Sequence, residues 1–241
     1  MTVAVDIYCL SYKNAENAKN ITRIFTEQNL NVHIYGGVDY TDPRIQGRPL
    51  PPNTKRCWSI MYGHLDMIQL FLQSGNEYGI FCEDDILVRK DFSMHLPDII
   101  RDFTDLKLDV LLLSYLCAVD YRHYSNFPEI PISDYSVHPF RYYAYDSKPE
   151  TCVWGAQMYL LNRQYAQYLV DTYSKDYAEK SLCENTPTPF SADWTITKDG
   201  NKAMIYPLVS IENCQTSYSD KHQQSCRKKC YDLFYSPDIF G

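Results

Sequence analysis

Three consecutive acids, Glu83-Asp84-Asp85, interrupt an apolar stretch in which Tyr78-Gly79-Ile80-Phe81-Cys82 precedes them and Ile86-Leu87 follows. Neighbouring carboxylates repel one another, and burying them is costly unless solvent or a cation offsets the charge. The apolar run therefore reads as a short buried strand, Glu77–Cys82, that must stop where the acids begin. In open α/β sheets, ligands bind outside the carboxyl ends of the strands.

The flanking sequence supplies the other parts of such a sheet. Val3–Leu10 has a buried-strand pattern, Ala15–Leu30 carries apolar residues at helical spacing, and Asn31–Tyr35 reads as a second strand closed by Gly36-Gly37. This strand–helix–strand opening predicts an α/β fold with helices flanking a central sheet. Tyr40–Asn53 reads as a long loop, Ser59–Leu72 as a helix ended by Gly75, Phe92–Phe103 as a helix and Asp109–Leu116 as a buried strand. Val119–Pro149, rich in Pro and Tyr, reads as loop. Cys152–Leu161 then reads as a strand, Arg163–Tyr173 as a helix, Ser191–Thr197 as a short helix and Ala203–Tyr206 as a strand. At 241 residues the chain suits one domain, taken as residues 1–222 with a polar tail over 223–241.

Composition narrows the partners. The net charge of −7 argues against nucleic acid, whose phosphates select basic faces. The Arg227-Lys228-Lys229 triplet reads as a solvated face. The excess of tyrosine, 22 residues, reads mainly as half-buried packing, with some rings available to line a cleft for a nucleobase or sugar. Most of the nine cysteines are scattered, several of them in apolar runs, so reduced thiols and a cytosolic location are expected, with a Cys226–Cys230 disulfide or metal site as a lesser alternative. No signal peptide and no membrane span are expected.

The acids have a specific chemistry available. A hard divalent cation takes oxygen ligands. In an extended segment residues i and i+2 point the same way, so Glu83 and Asp85 are expected to face one metal site while Asp84 turns elsewhere. The metal would link the acids to two phosphates. An acidic turn capping the next helix is the competing reading. Ser11, Tyr12 and Asp39 follow the first two strands and are candidates for holding a nucleobase and ribose, against a reading as ordinary turn residues.

The segment Arg56-Cys57-Trp58-Ser59-Ile60-Met61-Tyr62-Gly63-His64, an intervening helix, and the apolar strand ending in Glu83-Asp84-Asp85 together resemble glycosyltransferase family 25. That family includes lipooligosaccharide and collagen galactosyltransferases and relatives in large DNA viruses. Trp154–Leu161, Ala192-Asp193-Trp194, Tyr206–Val209 and Ser217–Asp220 are similar to its later elements and occur in the same order. Two features depart from the family pattern: Gly63 immediately precedes His64 and Ser59 lies five residues before it, and collagen-modifying members are much longer.

The resemblance implies a GT-A (Rossmann-like) fold with a mixed central sheet, a nucleotide-sugar donor and Mn²⁺ (or Mg²⁺). It implies Glu83 and Asp85 on metal and diphosphate, Asp84 on the ribose or the metal, and Asp193 as the general base of an inverting transfer. Asp193 as an N-cap is the plainer alternative. His222 is a candidate for completing the metal shell, with Asp220 as its rival. His64 is expected to be a satisfied structural histidine, and Arg56 or Lys55 to meet a phosphate or the solvent. The expected reaction is transfer of glucose or galactose from a UDP-sugar to a glycan or protein hydroxyl. A metal-dependent phosphoesterase and a non-catalytic nucleotide-sugar-binding domain are the alternatives. The expected setting is the cytoplasm of a bacterium or of a virus-infected host cell.

Overall fold

A computed structural model describes residues 5–117, 127–133, 138–146, 153–183, 189–197, 199–214 and 221–241, without the side chains of 117, 222 and 223. Its centre is an eight-stranded mixed sheet. The first strand β1 (Val5–Leu10) pairs in parallel with β2 (Val32–Tyr35) on one side and β3 (Tyr78–Glu83) on the other. The short strand β4 (Ile86–Val88) leaves this sheet. Next come β5 (Val110–Cys117), β6 (Glu129–Ile130), β7 (Arg141–Tyr143), β8 (Val153–Asn162) and β9 (Lys202–Tyr206). The order across the sheet is β2-β1-β3-β8-β5-β9-β7-β6, with β8 running antiparallel to both β3 and β5. A last strand, β10 (Ser210–Glu212), pairs with β4 in a separate two-stranded sheet.

The helices take the two faces. Helix α1 (Ala15–Glu27) buries Ile21, Ile24 and Phe25, and α3 (Phe92–Asp105) buries Leu96, Ile99, Ile100 and Phe103. Both pack on the face that carries Ile7, Cys9, Ile80 and Cys82. Helices α2 (Pro52–Ser74) and α4 (Arg163–Tyr173) cover the opposite face with Tyr8, Phe81 and Tyr159. The alternation of side chains along β3 divides its residues between these two cores. Short helices α5 (Tyr177–Lys180) and α6 (Ala192–Thr195) follow α4, and α7 (Lys221–Phe234) lies near the end of the chain. No helix among the described residues is long and apolar enough to cross a membrane.

A ladder of rings ties four strands together: His33 stacks on Tyr8 at 5.0 Å, Tyr8 on Phe81 at 5.5 Å and Phe81 on Tyr159 at 5.3 Å. These are direct cross-strand neighbours. Phe81 is fully buried and also meets Phe71 of α2 edge-on. Phe81→Ala is expected to cost about 3–5 kcal/mol, the usual range for emptying a buried aromatic site. Urea unfolding measures this; a loss of under about 1 kcal/mol would mean the strands collapse into the gap.

The structure adds to the sequence reading in three places. Helix α2 begins at Pro52, earlier than the Ser59 start expected from apolar periodicity. Its first turns lack that periodicity because Asn53, Arg56 and Cys57 line a cavity. The stretch expected as loop over 119–149 contains β6 and β7, which are too short to show a strand period. The stretch expected as a polar tail holds α7, with Cys226 and Cys230 buried. None of the seven described cysteines forms a disulfide. Much of the tyrosine excess is structural: the hydroxyls of Tyr168 and Tyr173 both donate to Asp199 Oδ2, and that of Tyr165 donates to the carbonyls of Ile196 and Asp199.

Candidate active site

Strand β3 ends at Glu83, and Asp84-Asp85 form the turn into β4. Glu83 lines a cavity of about 310 Å³. The first turns of α2 supply Arg56 to it, β8 supplies Ala156 and Gln157, α6 supplies Asp193 and α7 supplies Arg227. Two carboxylates and two guanidiniums from four helices and strands thus meet beyond the end of β3. Trp154 and Trp194, and no tyrosine, are the aromatic lining among the described residues.

The strand pair β5–β8 explains how β8 reaches into the cavity. Its register shifts between Leu112 and Ser114 and again between Ser114 and Leu116, so Met158 pairs with Ser114 but Trp154 pairs with Leu116. Residues 155–157 therefore bulge out of the ladder, and bulges redirect side chains and amides. Gly155 fits there because a Cβ would meet the Leu112 side chain at 2.5 Å. The Ala156 amide donates to Asp193 Oδ1 at 3.1 Å. Gln157 is buried, and its Oε1 has no hydrogen-bond partner. Asp193 makes no side-chain cap of α6, which corrects the plain N-cap alternative: its carboxylate is spent on a neighbouring strand.

Burial raises the Asp193 pKa from its ordinary value, opposed by the Ala156 amide and by His64. Burial, then Asp85 and Asp193, push Glu83 well up, while Arg227 and Arg56 pull it back. Beneath the cavity, His64 of α2 is wholly buried, and burial drives its pKa down to about 4 against the opposing pull of Asp193. Its Nδ1 lies 2.8 Å from the Tyr159 hydroxyl, and its Nε2 lies 3.5 Å from Glu83 Oε1. Only one of its two nitrogens has a hydrogen-bond partner, so the expectation of a satisfied histidine holds for Nδ1 and fails for Nε2.

The other sequence candidates fall into two pairs near the ends of β1 and β2. Ser11 Oγ donates to Asp84 Oδ2 at 2.5 Å, with Asn17 Nδ2 at 3.4 Å from the other oxygen. Burial raises the Asp84 pKa and these two donors moderate it. The Tyr12 hydroxyl and the Lys13 ammonium both donate to Asp39, which holds that carboxyl well below its usual range. Asp84 and Asp85 line a second cavity of about 330 Å³ beside α1, so Glu83 and Asp85 do not share one cavity as the i, i+2 alternation predicts. The alternation belongs to extended backbone, and the backbone turns at Asp84. No three His, Cys, Asp or Glu side chains are gathered for a metal among the described residues. Asp220 and the His222 side chain lie outside the described residues.

Arg227 is a site residue that sequence reasoning missed. The basic triplet splits: Lys228 makes an exposed i, i+4 pair with Asp232, whereas Arg227 turns inward with its Nε 2.9 Å from the buried Glu212. An apolar stripe through Cys226 and Cys230 on α7 is the signal that would have placed Arg227 near the core.

Neither a protein-family model nor a curated protein sequence matches the chain. Among solved structures, the chain is similar to the crystal structure of a glycosyltransferase involved in the glycosylation of the major capsid of PBCV-1. The two are 8% identical with a TM-score of 0.41, over 95% of this chain and 99% of that one.

Proposed function

We propose that this chain is an inverting glycosyltransferase of the GT-A type, moving glucose or galactose from a UDP-sugar to a hydroxyl of a glycan or protein. The observation that carries this reading is the cavity beyond β3 that Glu83 and Asp193, distant in sequence, both line. Inverting transfer requires one carboxylate to take the acceptor proton as the new bond forms. Asp193 suits that role because its position is fixed by the Ala156 amide and burial raises its proton affinity. Arg56 and Arg227 line the same cavity and are placed to meet the oxygens of a departing diphosphate. Ser11, Tyr12 and Asp39 sit at the ends of the neighbouring strands, where the nucleoside would lie.

Mn²⁺ or Mg²⁺ belongs to this proposal, with Glu83 and Asp85 as the residues that would hold it; because they line neighbouring cavities, the turn at Asp84 would have to bring Asp85 round toward Glu83 when the cation binds. Their chemistry suits a hard cation, which takes carboxylate oxygens, and burial together with the Asp85 and Asp193 charges works against an ionised Glu83 in its absence. Magnesium-type sites commonly use one or two carboxylates and complete their shell from substrate phosphates and water. When bound, such a cation neutralises charge on the diphosphate leaving group.

Release of uridine diphosphate from UDP-glucose and UDP-galactose, with and without Mn²⁺, tests the reading. A cation-dependent release that rises with a sugar acceptor is expected. Calorimetric titration of uridine diphosphate with Mn²⁺ is expected to show at least about tenfold weaker binding in Asp85→Ala. Equal affinity in the two proteins would remove Asp85 from the cation site.

A further inference from the structure

The buried imidazole of His64 has two partners of opposite demands. Tyr159 is fully buried on β8, and its hydroxyl lies 2.8 Å from Nδ1. Nε2 has no hydrogen-bond partner and faces Glu83 Oε1 at 3.5 Å. In the neutral form of so deeply buried a ring, one nitrogen carries a proton and the other a lone pair.

The two tautomers differ in cost. If Nδ1 carried the proton, it would donate to the Tyr159 oxygen, and the tyrosine O–H would need another acceptor in a buried place. The lone pair on Nε2 would then face a carboxylate oxygen. If Nε2 carries the proton, Tyr159 donates to Nδ1 and the Nε2–H points at Glu83. That arrangement satisfies the tyrosine donor and, whenever Glu83 is ionised, turns a repulsion into an attraction. An unsatisfied buried donor alone costs about 1–3 kcal/mol.

We propose that His64 is a positioning residue for Glu83, held by Tyr159 as the tautomer whose Nε2–H faces that carboxylate. The inference rests on the glycosyltransferase reading for its effect on rate, but the tautomer itself does not. The geometry couples three elements: Tyr159 on β8 orients His64 on α2, and His64 orients Glu83 at the end of β3. At 3.5 Å the contact is long, and contacts of this kind tighten when substrate loads a site. Glu83 is thereby held through Oε1 at the edge of the cavity that it lines. Outer partners of this sort typically change affinity or activity by about 10–100-fold when removed.

Imidazole ¹⁵N shifts of labelled protein test the tautomer without any turnover. The expected result is a pyridine-type Nδ1 and a pyrrole-type Nε2 for His64, with Tyr159→Phe giving a mixture of the two forms. A pyrrole-type Nδ1 in the unmodified chain would overturn the proposal. Transfer rates supply the second arm. His64→Met is expected to lose roughly tenfold or more, and His64→Gln, which returns an N–H near the Nε2 position, is expected to recover most of it. A purely structural histidine predicts the reverse of this contrast: Met would fill the buried space at no cost in rate, and a folded His64→Met chain with full activity would overturn the proposal. If the unmodified chain transfers no sugar at all, the proposed function falls and the ¹⁵N shifts still decide the tautomer.

Discussion

Asp193→Asn lowers transfer by about 10²–10⁴-fold while uridine diphosphate still binds, if Asp193 is the group that takes the acceptor proton. Asparagine keeps an oxygen for the Ala156 amide, so the β8 bulge and the cavity keep their shape. What the variant loses is the ability to accept a proton. The unmodified chain has a further signature. A base must be deprotonated to work, and burial raises the pKa of Asp193. Its rate therefore falls as pH drops through that raised pKa. The residual rate of the variant lacks this acid limb. Initial rates against pH, with donor affinity measured separately, check both points. A variant that transfers near the normal rate sends the base elsewhere, with Glu83 as the next carboxylate in the cavity.

Arg227→Met produces the largest expected loss of stability outside the aromatic core. Glu212 is buried on β10, and Arg227 of α7 reaches it at 2.9 Å. Removing the guanidinium leaves a carboxylate with much of its compensation gone, and breaking a buried pair from one side typically costs about 3–5 kcal/mol. The same substitution takes a positive charge from the cavity that Glu83 lines, so Glu83 is expected to become still easier to protonate. The double variant Arg227→Met, Glu212→Gln is expected to recover most of the stability, because it removes both charges. Urea midpoints of the three proteins read this out. An unchanged midpoint for Arg227→Met would mean that Glu212 finds its compensation elsewhere.

These two predictions bracket what was legible. The acids at Glu83-Asp84-Asp85 announced a strand end without any knowledge of the fold, because an apolar run cannot continue into three charges. The opening β1, α1 and β2, the strand β3 and the helices α3 and α4 were equally plain, since the helices bury one face with a clear period and β1 and β3 are short apolar runs buried on both faces. The reversed direction of β8 between β3 and β5 was not visible in the local pattern, because strand direction leaves no trace in the period of side chains. The early turns of α2 were hidden because Asn53, Arg56 and Cys57 line the cavity and leave no apolar stripe there.

The sequence by itself determined the layers: which runs are apolar, where they stop and which acids stand at their ends. That information is local, written in the spacing of side chains that must leave water. Only the tertiary structure decided that Glu83 parts from Asp84 and Asp85, that Asp193 rests on a bulged strand, and that Arg227 leaves its basic neighbours to join the cavity. Those choices depend on a backbone turn, a register shift and a helix docking. Each is set by contacts between segments distant along the chain, so no window of sequence contains them.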